Sequence, residues 1–369
     1  MSDNKSEKKS ALHVMPGVKG GHEGLPGRTA PKSDTPTPRR RRLSTEELVD
    51  GVLANDRTTL ARAITLVESN AERDFEQSQE VLRKLLPYTG KSLRVGLTGV
   101  PGAGKSTFIE TLGMRLIEMG HRVGVTAVDP TSTLTGGSIL GDKTRMEKLA
   151  ADPRAFIRPS PTGGALGGVG RKTRETMLLM EAAGHDVLLV ETVGVGQSEV
   201  TVRSMVDFFA LLLVSGAGDE LQGIKKGVVE LADLVVIHKA DGDNKQRANL
   251  SRSEYERALH YLQPATEGWN VPVLTASSVT GEGIDEVWQT AEAFRKSVSD
   301  SGVFMKRRRN QAREWIHAMV EDHLHALFRQ HPDVQREIKG LEKSVMEGTL
   351  PATTAADTLI RLFQGEKSS

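Results

Sequence analysis

The chain contains no cysteine. That absence excludes disulfides, iron–sulfur clusters and thiolate zinc sites, leaves any metal to oxygen or imidazole donors, and permits a reducing compartment. No run approaches the roughly 20 apolar residues that a membrane-spanning helix requires. The first residues carry Asp3 and Glu7 with no apolar core behind them, and they lack the acid-poor, amphipathic character of a transit peptide. The location expected by elimination is the cytoplasm. A dominant charge sign is missing too: 49 Lys and Arg against 48 Asp and Glu leave a formal net charge of +1, so there is no global bias toward nucleic acid or membrane.

What is present is ordinary for a soluble globular protein, with 37% hydrophobic and 26% charged residues in a chain of 369. That length implies one large domain with helical additions rather than two equal halves. Residues 1–43 are rich in Gly, Pro, Ser and Lys, lack periodicity and end in Arg39-Arg40-Arg41-Arg42. Too little apolar surface exists there to offset ordering entropy, so a disordered basic tail is expected, with the Arg run a solvated linker. Residues 44–90 read as a helical extension. Ser44 or Thr45 can cap, Glu46 and Glu47 suit a helix start, and Leu48, Val52, Leu60, Ala63 and Leu66 recur at helical spacing before a second helix near Gln77 to Leu86.

Over residues 91–300 strand and helix alternate, the signature of an α/β fold with a doubly wound, mostly parallel sheet. Strands are expected at Leu93 to Thr98, Val123 to Val128, Ala155 to Arg158, Val187 to Val190, Ala210 to Val214, Leu234 to Ile237 and Val271 to Leu274. Residues 301–369 turn helical again, with Trp315, Ile316, Met319, Val320, Leu324, Leu327 and Phe328 on one face. These helices follow a completed sheet, which favours a dimerisation arm, and hence a homodimer, over packing within the subunit. Lys306-Arg307-Arg308-Arg309 is expected to begin the exposed side of that arm. No interleaved aromatics accompany it as a nucleic-acid patch would require.

Chemistry concentrates at strand ends. Gly99-Val100-Pro101-Gly102-Ala103-Gly104-Lys105-Ser106 follows a strand and opens a helix, the context in which G-x-x-x-x-G-K-[ST] is a phosphate-binding loop. Its glycines let backbone N–H groups converge on phosphate oxygens, Lys105 reaches the β and γ phosphates, and Ser106 ligates Mg²⁺. Further on, the apolar strand after Asp186 delivers Glu191 to the carboxyl edge of the sheet, to hold Mg²⁺ directly or through water, and Gly194 can offer its N–H to a γ-phosphate. In His238-Lys239-Ala240-Asp241, the Asp241 carboxylate can read the adjacent N1–H and amine of guanine while the Lys239 stem lies over the base. Thr275-Ala276-Ser277-Ser278 can supply a backbone N–H to the guanine carbonyl. Each tetrapeptide is weak evidence alone; their order, each after a strand, points to GTP and GDP as ligands.

These residues resemble the MeaB/ArgK family of P-loop GTPases, the methylmalonyl-CoA mutase-associated proteins of the SIMIBI type, within the larger group that includes metallochaperone GTPases. The resemblance runs from about Ser44 to the C-terminus. Its most specific segments are the phosphate loop extended to Thr107, Ala127 to Pro130, Gly136 to Met146, Glu191 to Glu199 and Ser215 to Gly227. The likeness implies that Asp129 and Asp142 lie near Mg²⁺ and the γ-phosphate, with Asp142 in a first switch, Gln197 in a second, and Asp219 and Lys225 in a third. It also implies a role: gating adenosylcobalamin delivery to a B12-dependent acyl-CoA mutase, and protecting or reactivating that mutase, through GTP hydrolysis. An adenosyltransferase is a further possible partner.

Two departures stand out. The family's base-reading tetrapeptide begins with Asn, which bridges base and phosphate loop, whereas this chain has His238; an imidazole donating to guanine N7 is the expected substitute. No Gln directly follows Gly194 to orient water as in Ras-like enzymes, so slow intrinsic hydrolysis stimulated by a partner is expected, with Lys105, Asp142 and Gln197 as the catalytic candidates. The alternatives are an ATP-dependent transport-system kinase, which Asp241 opposes, and a nickel-delivery GTPase. The second is opposed by the absence of Cys and by the spacing of His317, His323, His325 and His331, which forms no i, i+4 ligand pair.

Overall fold

The apolar runs become strands because each is hydrophobic on both faces, which a sheet covered on both sides accommodates. The structure, a computed structural model, describes residues 41–128, 146–159, 166–192, 198–215 and 226–365. The expected basic tail lies, up to residue 40, outside them. Residues Leu43–Ser369 form one compact unit. Within it β1 (Leu93–Gly99), β2 (Val123–Val128), β3 (Ala155–Arg158), β4 (Val187–Thr192), β5 (Phe208–Val214), β6 (Leu234–His238) and β7 (Val273–Ala276) make a seven-stranded sheet of order β3-β2-β4-β1-β5-β6-β7. Every pairing is parallel. β2, β4 and β6 are buried at every position, as strands roofed on both faces must be.

The helices, in chain order, are α1 (Thr45–Leu53), α2 (Arg57–Glu68), α3 (Glu72–Leu85), α4 (Lys105–Glu118), α5 (Glu147–Ala151), α6 (Leu166–Ala182), α7 (Ser198–Arg203), α8 (Lys226–Glu230), α9 (Lys245–Leu259) and α10 (Ile284–Asp300). One core joins Phe108, Leu112 and Leu116 of α4 and Trp288 and Phe294 of α10 to Leu97, Leu189 and Leu212 of the sheet. A second joins Leu60 and Ile64 of α2 and Val81 of α3 to Met177 and Met180 of α6 and to Leu188, Val190 and Phe209.

Among the described residues three α-helices, not two, precede β1. The apolar spacing runs across residues 48–66, but Asn55 adopts a left-handed φ of 55° and Asp56 accepts from the Thr59 N–H at 2.7 Å, so local cap chemistry breaks the helix there. At the first start, Ser44 and Glu47 cap each other reciprocally, with Glu47 N–H donating to Ser44 Oγ at 3.2 Å and Ser44 N–H to the Glu47 carboxylate at 2.8 Å. β7 begins two residues later than the sequence suggests, after Pro272, which has no N–H to give to a ladder.

After the sheet come α11 (Val303–Gln330), α12 (Pro332–Met346) and α13 (Ala352–Phe363). Half of the basic run at the root of α11 is the exposed surface expected of it, since Lys306 and Arg309 are exposed, but Arg307 and Arg308 are not. Arg308 donates to Asp207 at 2.6 and 2.7 Å, and Arg307 lies 3.6 Å from Asp233, with only 12% and 14% of their side chains exposed. Asp207 and Asp233 sit immediately before β5 and β6, so the root of the arm is fastened to the amino edge of the sheet.

Candidate functional site

In an all-parallel sheet every carboxyl end lies on one edge, and ligands bind in the crevice beyond it. That edge here carries the loops after β1, β4, β6 and β7. The loop after β1 turns on glycines whose conformations L side chains resist. Gly99 (φ 156°) lies so close to the Leu212 carbonyl that an added Cβ would collide with it, and Gly104 (φ 85°) is the left-handed N-cap of α4. The N-cap has no side chain to satisfy the first N–H groups of α4, which leaves the helix terminus built for an anion.

Lys105 crosses this loop and donates through Nζ to the Gly99 carbonyl at 2.9 Å and, more weakly, to that of Val100 at 3.4 Å. Burial lowers its pKa, against the pull of Glu191 and Glu199. Ser106 Oγ donates to the Glu191 carboxylate at 3.1 Å, so the two oxygen groups assigned to Mg²⁺ meet. Both are hard donors of the kind that cation takes. Pro101, Gly102 and Thr107 are exposed, and Ala103 is fully buried.

On the base side, the Ser277 hydroxyl donates to Asp241 Oδ2 at 2.5 Å, which fixes the carboxylate. Ser277 is wholly buried and its N–H is committed to the Glu282 carbonyl at 2.9 Å, while Ala276 accepts through its carbonyl from the Ala240 N–H at 3.1 Å. Thr275 is half-buried within β7. Lys239 adopts a left-handed φ of 58°, rare for a residue with a side chain and typical of functional turns.

His238 departs from the expectation that it donates to the base. Its Nδ1 lies 2.6 Å from the Ala103 carbonyl and its Nε2 lies 2.7 Å from Ser278 Oγ, so both ring nitrogens are engaged by protein. The Phe108 ring meets it edge-on at 5.4 Å. A Cβ added to Gly104 would lie 3.0 Å from His238 Cε1 and 3.7 Å from Lys239 Cε, so the base-side loop rests on the phosphate loop.

Asp129, Asp142, Gly194, Gln197, Asp219 and Lys225 lie outside the described residues. Three residues given no role of their own in the sequence lie at the site. Ser278 closes the base-side tetrapeptide, Glu199 closes the Glu191–Glu199 segment, and Phe108 reads as ordinary core because its helical spacing is that of core.

Residues 60–333 match the family described as methylmalonyl Co-A mutase-associated GTPase MeaB. A putative GTPase of Caulobacter vibrioides is 54% identical over 321 residues, covering 87% of this chain and 98% of that protein. The mouse mitochondrial methylmalonic aciduria type A homolog is 46% identical over 329 residues, covering 86% of this chain and 79% of that protein. A crystal structure titled LAO/AO transport system kinase superposes with a TM-score of 0.70 at 40% identity, covering 87% of this chain and 97% of that one. The match spans the phosphate loop, the sheet and the base-side loops together, and the chain therefore belongs to the MeaB family of P-loop GTPases, which bind guanine nucleotide and hydrolyse GTP.

Proposed function

We propose that this GTPase is a chaperone for a B12-dependent acyl-CoA mutase, with methylmalonyl-CoA mutase as the client, and that its nucleotide state gates adenosylcobalamin delivery and protects or reactivates that enzyme. The family description and the mouse relative's name support the choice of client. The observation that carries the switch reading is the attachment of α7. This helix follows the Glu191 segment on the nucleotide side, and the arm grips its far end. Gln311 of α11 donates to the Val206 carbonyl at 2.8 Å and to that of Arg203 at 3.3 Å, while Arg203 lies 3.1 Å from Asp233, the same carboxylate that faces Arg307. A displacement of α7 is thereby transmitted to the root of the arm.

In this reading the loop N–H groups and Lys105 hold the phosphates, and Asp241 reads guanine. Ser106 and Glu191 would hold Mg²⁺, which neutralises charge on the phosphate oxygens when bound. Hydrolysis by the isolated protein is slow and the client stimulates it, with Lys105, Asp142 and Gln197 as the catalytic residues. The arm helices α11 to α13 pair two subunits, and an adenosyltransferase docks as a further partner.

Two measurements test this. Sedimentation with the mutase in GDP and in a non-hydrolysable GTP analogue should show a complex in at least one state; none in either would remove the chaperone role. GTP turnover should rise on adding the mutase, and a fast, unresponsive basal rate would remove the stimulation. The kinase title of the structural neighbour keeps one alternative in view, which competition decides: ATP displacing labelled GDP as well as GTP does would overturn the assignment of Asp241.

A further inference from the structure

The hydrogens around His238 can be assigned. The Ala103 carbonyl can only accept, so the nitrogen 2.6 Å from it, Nδ1, carries a proton. In the neutral ring Nε2 is then an acceptor and Ser278 Oγ–H donates to it at 2.7 Å. Burial holds the ring below its ordinary pKa, against the Ala103 carbonyl and the Asp241 carboxylate, which favours this neutral tautomer. If the ring were protonated, Nε2–H would point at the same hydroxyl oxygen. In either state no N–H remains for a ligand, and the Cε1 edge is turned to Gly104.

We propose that His238 is a positioning residue that ties the phosphate loop to the 275–278 loop and makes no hydrogen bond to N7 of the base, which leaves Asp241 as the base-reading side chain of this tetrapeptide. The inference rests on the reading of Asp241 as the base-reading carboxylate. An asparagine at this position has one amide nitrogen with two donors and could serve the Ala103 carbonyl and N7 together; the imidazole uses its two nitrogens in opposite directions, one per loop. The base-side carboxylate is aligned through the same loop, since Ser277 donates to Asp241 at 2.5 Å. The imidazole thus strengthens the joint between the loops and gives up direct contact with the five-membered ring of the purine.

Equilibrium binding of GDP, 7-deaza-GDP and ADP to the full-length protein tests this. 7-deaza-GDP lacks the N7 acceptor and keeps the Watson–Crick edge. Wild type should bind GDP and 7-deaza-GDP within about two-fold of each other, whereas a lost hydrogen bond would separate them by roughly two- to twelve-fold. A penalty above about two-fold for the deaza analogue would overturn the proposal. ADP tests the underlying reading separately: binding as tight as that of GDP would remove Asp241 as the selector, whatever the deaza result.

His238→Ala should weaken GDP and 7-deaza-GDP alike, by about ten-fold, and act on affinity more than on kcat, since the ring positions loops and does not touch reacting atoms. His238→Asn should restore GDP binding and acquire a preference for GDP over 7-deaza-GDP. A fall in kcat with unchanged affinity in His238→Ala, or no acquired preference in His238→Asn, would count against the positioning role. The wild-type comparison stands even if a variant fails to fold.

Discussion

The two helical additions to the sheet have the same kind of sequence and use it in different ways. Before the sheet, α1 to α3 bury Leu48, Val52, Leu60, Ala63, Ile64, Val67, Val81 and Leu85 against α6 and the strands. After it, α11 is 28 residues long and buries one residue, Gln311, while α12 and α13 bury Val334 and Ala355. Ile316, Val320, Leu324 and Leu327 remain 57%, 52%, 51% and 45% exposed, spaced as one helical stripe. Amphipathic periodicity says that a helix has an apolar face. It does not say which surface covers it. The first addition is held by apolar burial; the second is held at its root by ion pairs beside Val303 and Phe304, which pack on the sheet core, and leaves its stripe for the second subunit proposed above.

The largest expected effect breaks the ionic half of this contrast. Asp233→Ala would leave Arg203 and Arg307 buried without their carboxylate, and urea unfolding should show a loss of about 3–5 kcal/mol. A loss under about 1 kcal/mol would mean that the root of the arm is held by something else. Burial raises the Asp233 pKa while the two arginines and the Thr266 hydroxyl oppose it.

Ile64→Ala tests the apolar half. The side chain is fully buried between α2 and its neighbours, and its truncation should cost about 2–4 kcal/mol by the same measurement. A near-neutral result would show that α1 to α3 are attached more loosely than their burial implies.

Acid provides a third test, at the core that α1 to α3 share with α6 and the sheet. His185 is buried beside Phe156, at 6.2 Å between rings, and burial lowers its pKa to about 4. Because the folded value lies below the unfolded one, the unfolded chain binds the proton first, and stability falls as pH drops from about 6.5 toward 4. The loss should approach roughly 3 kcal/mol at the bottom of that window. His185→Gln should flatten the profile there, and an unchanged slope would assign the acid sensitivity elsewhere.

The smallest effect on stability falls on the exposed stripe. Leu324→Glu should change the unfolding free energy of the monomer by no more than about 0.5 kcal/mol while abolishing the dimer in sedimentation. A persistent dimer, or a wild type that is monomeric throughout, would show that the stripe is not the subunit contact.

The sequence by itself determined the sheet, since unbroken apolar runs such as Val187–Val190 and Leu234–Ile237 have few other uses in a chain that alternates with amphipathic helices. It also determined the phosphate loop, because Gly99 and Gly104 hold backbone conformations that other residues resist and Lys105 follows at fixed spacing. Ser106 and Glu191 were legible as a pair because each ends or follows a strand on the carboxyl edge.

The tertiary structure alone decided what depends on distance between segments far apart in the chain. Arg307 and Arg308 looked like a solvated run until Asp207 and Asp233 were brought to them from the starts of two strands. His238 looked free to face a base until the fold set Ala103 and Ser278 on either side of its ring. Periodicity and backbone conformation are local properties and are written into the sequence, whereas the partner of a charge or a ring nitrogen is fixed only when the chain closes around it.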